Sequence, residues 1–168
     1  MSVTTLHPPA PDLRSVFRRA AASAWVVTSA GGHEVDPVGF TAISVASVSL
    51  EPPLLSFNIG RASSSLTTLA RSGRAALHLL ADHQTHLAAR FAADRTLRFV
   101  DDGAWAWEDG LPALPGVTAR LVTTLTDLVP AGDSLVAIAR VERATADPTT
   151  LPLLHHAGRF GALHQIGA

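Results

Sequence analysis

The sequence predicts a mainly β protein: an antiparallel barrel, closed or nearly closed, with a few short helices. Short apolar runs bounded by Gly, Pro, Asn and Asp recur at 25–28, 36–45, 54–59 and 75–80, the pattern of strands joined by turns. Two longer β segments, about 119–129 and 134–144, flank Pro130-Ala131-Gly132-Asp133, a hairpin signal. In the second arm Leu135, Ala137, Ala139 and Val141 alternate with Val136, Ile138, Arg140 and Glu142. One face is therefore apolar throughout, and the other turns charged towards its end. A barrel follows because closure removes unpaired edges.

The elements are justified in chain order. Residues 1–11 are polar and rich in Pro and read as a flexible tail before a single domain over 12–168. Leu13, Val16, Phe17, Ala20 and Ala24 fall at helical spacing, with Asp12 as N-cap. A strand follows at 25–28, and Ala30-Gly31-Gly32-His33 reads as a hairpin turn. After the strands at 36–45 and 54–59, residues 63–72 form a short helix with Leu66, Leu69 and Ala70 on one face. The strand at 75–80 leads to a helix over 83–93, and 94–118, broken by Gly103, Gly110, Pro112, Pro115 and Gly116, reads as irregular. The strands are apolar enough for one barrel face to pack against a second subunit.

Composition excludes several functions. A chain of 168 residues buries roughly two-thirds of its unfolded surface, enough for a real core. Hydrophobic residues make up 47%, yet no window approaches the roughly 20 apolar residues of a spanning helix, so no membrane partner is predicted. The start MSVTTLHPPAPD lacks the basic and apolar regions of a signal peptide, and there is no Cys for disulfides or thiolate sites. These features point to the cytoplasm. A net charge of −1 argues against a nucleic-acid surface. All 13 basic residues are Arg, so a phosphate must be met by Arg, hydroxyls or backbone amides, and Schiff-base chemistry on Lys is excluded.

Four constellations carry chemistry. In GFTAISVASVSLEPPLLSFN, residues 39–58, Ser44, Ser47 and Ser49 stand among Val, Ala and Leu between two strands. Hydroxyls and free amides on a rigid β scaffold suit a flat, polar-edged cofactor such as isoalloxazine, whereas Ser also serves plain turn chemistry. Arg61-Ala62-Ser63-Ser64-Ser65 precedes an amphipathic helix, which suits either a phosphate cradle or simple N-capping. Leu87-Ala88-Ala89-Arg90-Phe91-Ala92, followed by Arg98-Phe99, offers Arg90 or Arg98 to a phosphate, or else solvated arginines beside core Leu87 and Phe91. Gly132-Asp133-Ser134 is a hairpin tip that could reach a ligand at the barrel mouth. His83, His86 and the pair His155-His156 lack an H-E-x-x-H or Cys partner, so no metal site is predicted. There is no G-x-S-x-G elbow, P-loop or G-x-G-x-x-G.

In their order these segments resemble the flavin reductase family, which has the FMN-binding split-barrel fold. The resemblance runs over about 12–163. It rests on Phe17 with Val26-Val27-Thr28, Gly39-Phe40-Thr41-Ala42, Ser47-Val48-Ser49-Leu50-Glu51-Pro52-Pro53-Leu54 and Arg61-Ala62-Ser63. It continues through Leu87-Ala88-Ala89-Arg90-Phe91-Ala92, Gly132-Asp133, and Pro152-Leu153-Leu154 with Gly158-Arg159-Phe160. The resemblance implies a homodimer that binds FMN, or FAD in some members, and moves hydride from NADH or NADPH to flavin. Many members pass reduced flavin to a partner monooxygenase. It further implies that Thr41, Ala42, Ile43, Ser44, Ser47, Val48 and Ser49 line the ring and ribityl chain. Ser63 and Ser65 would meet the phosphate, with Arg90 and Phe91 closing that side. Such a reaction asks the protein for placement and electrostatics more than for acid–base groups.

Two departures from the family pattern shape the expectations. Members often carry His after the Gly-Asp of the hairpin tip, thought to help place the nicotinamide; here the residue is Ser134. Ser134, His155 and His156 are the candidates for the nicotinamide side. Ile43 and Val45 replace a small polar residue and an aromatic, so the ring pocket is expected to differ in shape. Beside the leading expectation of an NAD(P)H-dependent flavin reductase stand two alternatives. One is an enzyme that retains FMN and acts on another substrate; the other is a non-catalytic flavin-binding dimer.

Overall fold

The computed structural model describes residues 12–32 and 34–163; the tail expected at 1–11 and His33 of the expected turn lie outside them. Helix α1 (Leu13–Phe17) begins where the Asp12 carboxylate accepts the Ser15 N–H at 3.1 Å. It stops at Phe17, which corrects the longer helix expected up to Ala24. Ala22–Ser23 instead forms strand β1 and pairs with a C-terminal strand, Leu153–His156, while the Arg18 carbonyl accepts the Ala157 N–H at 2.9 Å. Helix propensities differ by less than about 1 kcal/mol per ordinary residue, so tertiary pairing overrides them. The expected apolar face of α1 lies open, with Leu13, Val16 and Phe17 each 60% exposed or more.

Strands β2 (Trp25–Gly32) and β3 (Val35–Ala42) make a hairpin, followed by β4 (Ala46–Ser49), β5 (Leu54–Gly60), α2 (Leu66–Ser72), β6 (Arg74–Leu79) and α3 (Thr85–Ala92). The stretch expected to be irregular holds a 3-10 turn, Arg95–Leu97, and a small hairpin of β7 (Ala106–Glu108) and β8 (Leu111–Ala113). Long strands β9 (Ala119–Ala131) and β10 (Ser134–Ala146) form the predicted hairpin, but they meet at a two-residue tip, Gly132-Asp133, shorter than the four-residue link expected. Strands β11 (Leu153–His156) and β12 (Arg159–Ala162) complete a small sheet with β1.

The main antiparallel sheet has the order β3-β2-β6-β9-β10-β5-β4. Its two edge strands, β3 and β4, are consecutive in the chain and joined only by Ile43-Ser44-Val45, so the sheet curls and the end of β3 stands beside the start of β4 at an unpaired seam. Register shifts at Ile138/Ala139 and Val141/Arg143 mark irregularities in the long ladder. Such bulges bend a strand and increase its twist. They let β9 pair with β6 over 119–124 while β10 pairs with β5 over 134–140.

The barrel interior is filled by Val27, Leu55, Phe57, Leu77, Ala137 and Ala139 from four strands. Phe40 and Phe57 meet across it with ring centroids 6.3 Å apart. A second cluster lies outside, where Val26, Leu87, Phe91 and Leu153 pack against one another. Strand β2 is thus covered on both faces, which explains why it reads as a continuous apolar run rather than an alternation.

Candidate functional site

The seam between β3 and β4 gathers most of the residues singled out in the sequence, and two clefts of opposite character flank it. The first is a cleft of about 280 Å³ lined by Trp25, Val45, Ala46, Ser47, Ser49, Leu50, Pro53, Leu54, Leu55, Leu121 and Val141, without a charged side chain. The second, about 370 Å³, is lined by Asp36, Pro37, Val38, Gly39, Ser64, Ser65, Arg95, Thr96, Arg98 and Phe99.

Around the first cleft, Ile43 and Val48 stand 46% and 54% exposed. Val48 bulges out between Ser47 and Ser49, which pair with Leu55 and Leu54. Ser44 spends its hydroxyl on the fold, accepting the Asn58 N–H at 2.9 Å and tying the linking turn to β5. Thr41 donates its hydroxyl to the Ala88 carbonyl of α3 at 2.7 Å. The methyl of Ala42 faces the core, which leaves its backbone as the part able to meet a ligand.

Gly39 organises the second cleft. A side chain there would place its Cβ 2.9 Å from Cε1 of Phe91 and 3.0 Å from the Val27 carbonyl oxygen, so the ring of Phe91 lies directly on the strand. The Gly39 carbonyl accepts from Ser65 Oγ at 3.3 Å and from an Arg98 guanidinium nitrogen at 2.6 Å. Ser65 is 2% exposed, and its side chain makes this bond rather than capping α2. Ser63 Oγ accepts the Ser65 N–H at 3.3 Å. Ser64 is the exposed hydroxyl of the trio.

The basic groups separate into two kinds. Arg90 grips Asp102 through both terminal nitrogens, at 3.2 and 2.5 Å. Its hydrogen bonds, with that of the Ala104 N–H, hold the Asp102 carboxyl below the usual range. Phe91 is buried and stacks edge-on against Phe99 at 5.3 Å. Arg98 differs from Arg90. It donates to the carbonyls of Gly39 and Ala93, and its Nε is buried without a partner. Among the described residues no carboxylate lies within ion-pair distance of Arg95 or Arg98. Burial draws the Arg98 pKa below the usual guanidinium value, opposed by the nearby charge of Asp94.

Arg95, Thr96 and Asp36 went unmarked in the sequence. A signal was present: Asp94 caps the 3-10 turn by accepting from the N–H and hydroxyl of Thr96, both at 2.9 Å. Residues three apart eclipse one another on such a turn, which sets Arg95 and Arg98 on one side.

The nicotinamide-side candidates fall on different sheets. Ser134 sits opposite Gly60 and bonds Asp133 Oδ1 at 3.0 Å. His155 pairs with Ala22 and packs on Phe160 at 5.3 Å, and His156 is exposed near the β11–β12 turn.

The two clefts thus differ in chemistry: Arg95 and Arg98 line one, and no charged side chain lines the other. The chain has well-matched relatives. An NADH:FMN oxidoreductase of Rhodococcus erythropolis is 43% identical over 156 residues, covering 90% of this chain and 80% of that protein. The reductase subunit HsaB of a flavin-dependent monooxygenase from Mycobacterium tuberculosis is 31% identical over 149 residues, 88% of this chain and 79% of that one. The solved structure of the NADH:FAD oxidoreductase SgcE6 of Streptomyces globisporus, in complex with NAD and FAD fragments, superposes with a TM-score of 0.87 at 29% identity, over 98% of this chain and 100% of that one. The pattern of the flavin reductase like domain runs through residues 17–164, and the chain belongs to that family.

Proposed function

We propose that this enzyme, an NAD(P)H:flavin oxidoreductase, uses NADH and FMN, and that the flavin lies along the seam with its ring over the apolar cleft and its phosphate between Ser64, Arg95 and Arg98. The observation that carries the placement is the segregation of charge: guanidinium groups without an ion pair among the described residues stand in one cleft, and the other holds no charged side chain. When bound, flavin supplies the position that accepts hydride; the chain supplies placement and charge. Arg98 is held by two carbonyls and needs little reorganisation to meet a phosphate, and charge-assisted bonds of this kind are about twice as strong as neutral ones. The backbone at Thr41, Ala42 and Ile43, with Ser47, Val48 and Ser49, forms the two lips that orient the ring. Ser63 and Ser65 support the phosphate end from behind rather than through free hydroxyls, and Arg90 and Phe91 brace its wall. Ser134 lies nearest the phosphate loop among the nicotinamide candidates, by its pairing with Gly60.

The likeness to HsaB, a monooxygenase reductase subunit, supports delivery of reduced flavin to a flavin-dependent monooxygenase. The open apolar face of α1 supports a homodimer as the working unit. Dependence on NADH and the absence of Cys support a cytoplasmic setting. Among the described residues no helix is long and apolar enough to cross a membrane.

Anaerobic stopped-flow absorbance near 450 nm, with FMN or FAD against NADH or NADPH, tests the reading. The fastest bleaching is expected from FMN with NADH. A bound flavin that neither nicotinamide bleaches would overturn it.

A further inference from the structure

We propose that Arg61 is a positioning residue for phosphate recognition, acting by clamping the serine loop to the tip of the β9–β10 hairpin; this rests on the placement of the flavin phosphate given above. Arg61 lies outside the lining of the cationic cleft. Its backbone N–H donates to the Asp133 carbonyl and its Nε–H to the Gly132 carbonyl, both at 2.9 Å. Both peptide groups of the two-residue tip are therefore held by one residue. The tip in turn is the end of the longest ladder in the barrel, where Ser134 pairs with Ala131 and with Gly60.

Four residues further on, the same loop has its second anchor, the bond from Ser65 Oγ to the Gly39 carbonyl. Ser63 and Ser64 are strung between these two fixed points, and the Ser63 N–H is turned back on the Gly60 carbonyl at 3.0 Å. A loop fixed at both ends loses little freedom when an anion binds, and that preorganisation appears as affinity. Releasing one end leaves every group of the cleft present and removes only its placement. The side chain of Arg61 thus matters for the hydrogen bond at Nε and not for its charge.

That distinction gives the test. In Gln the amide nitrogen stands as many bonds from Cα as Nε does in Arg, so Arg61→Gln keeps a donor for the Gly132 carbonyl and drops the charge, whereas Arg61→Ala removes both. Dissociation constants for FMN and for riboflavin, which lacks the phosphate, are measured by flavin fluorescence on the full chain and both variants. A lost hydrogen bond of this kind corresponds to about five- to tenfold in affinity. Arg61→Ala should weaken FMN by that factor and leave riboflavin unchanged, and Arg61→Gln should stay within about twofold of the parent for both, since the neutral bond is retained. Equal losses for FMN in the two variants would mean that Arg61 acts by charge, and the clamp would be wrong. A parent protein that binds riboflavin as tightly as FMN would remove the phosphate placement itself, and the inference with it. Should Arg61→Ala fail to fold, the Arg61→Gln comparison alone still decides between donor and charge.

Discussion

Arg98 and Arg120 each carry a buried Nε without a partner among the described residues, yet they stand in opposite circumstances. Arg120 is paired with the Glu108 carboxylate and bonds the Glu108 carbonyl at 3.2 Å, beneath the β7–β8 hairpin. Beside it in register is His78, fully buried, with Nδ1 against the Val26 carbonyl at 3.1 Å and Nε2 unpartnered. Arg98 is met by carbonyls alone and opens on a cleft. An unpartnered nitrogen by itself therefore does not mark a site. What separates the two is the ion pair: Arg120 has a carboxylate in contact and belongs to the fold, whereas Arg98 has Asp94 nearby but unpaired and is where we propose that an anion binds.

The largest effect expected from this contrast is on the structural side. Burial, and to a smaller degree the charge of Arg120, lower the His78 pKa to about 3 from its ordinary 6.5, against the bond to Val26. Above pH 6.5 both folded and unfolded chains hold this histidine neutral. Below it the unfolded chain takes a proton that the native state refuses, so stability falls as pH drops from 6.5 towards 3, by up to about 1.4 kcal/mol per unit. Urea unfolding at pH 7, 6, 5 and 4 should show this slope, shallower in His78→Gln. Identical slopes would mean that other groups govern acid stability.

A smaller effect is expected from the ion pair itself. Glu108→Gln leaves the guanidinium of Arg120, 9% exposed at its side chain, without a carboxylate, and should cost about 2 kcal/mol, below the usual range for a buried pair because Glu108 is reached by water. Arg120→Met leaves only a solvated Glu108 and should cost less, about 1 kcal/mol. If the order of the two costs reverses, Glu108 is not what makes Arg120 tolerable.

On the cleft side, Arg98→Gln should weaken FMN about tenfold or more, as expected for a charge-assisted bond, with riboflavin little changed. Parallel loss of both flavins would place Arg98 among the structural arginines and erase the contrast with Arg120.

The sequence revealed the barrel more readily than the site. Strands 25–28 and 75–80 are short apolar runs between turns, and the 119–144 hairpin carries its own period and turn chemistry, so local pattern and tertiary pairing agree. It failed where the two disagree: 18–24 has helical composition but is claimed by β11, and 94–118 has turn composition but folds against β2, β6 and β9. The site suffers from the same cause. Ser44, Ser63 and Ser65 are legible as small hydroxyls near a cofactor groove, but which hydroxyl is consumed by Asn58 or Gly39 depends on residues distant in the chain. Arg90 and Arg98 look alike in sequence; Asp102, folded back onto the first, separates them.

The smallest expected effect concerns the apolar lip. Val48 is 54% exposed on a bulge, so Val48→Asp should change stability by no more than about 0.5 kcal/mol, as for most surface substitutions. Its carboxylate would, however, stand where the ring is proposed to lie and would lose water beside it, at a cost of roughly 1 kcal/mol. FMN and riboflavin should then weaken together, about fivefold each, because both carry the ring. This is the reverse of the Arg98→Gln pattern, in which the flavin with a phosphate suffers alone. Fluorescence titration of both flavins against both variants reads the four values. If Val48→Asp weakens FMN and spares riboflavin, the phosphate lies at the apolar lip and the flavin runs the other way along the seam.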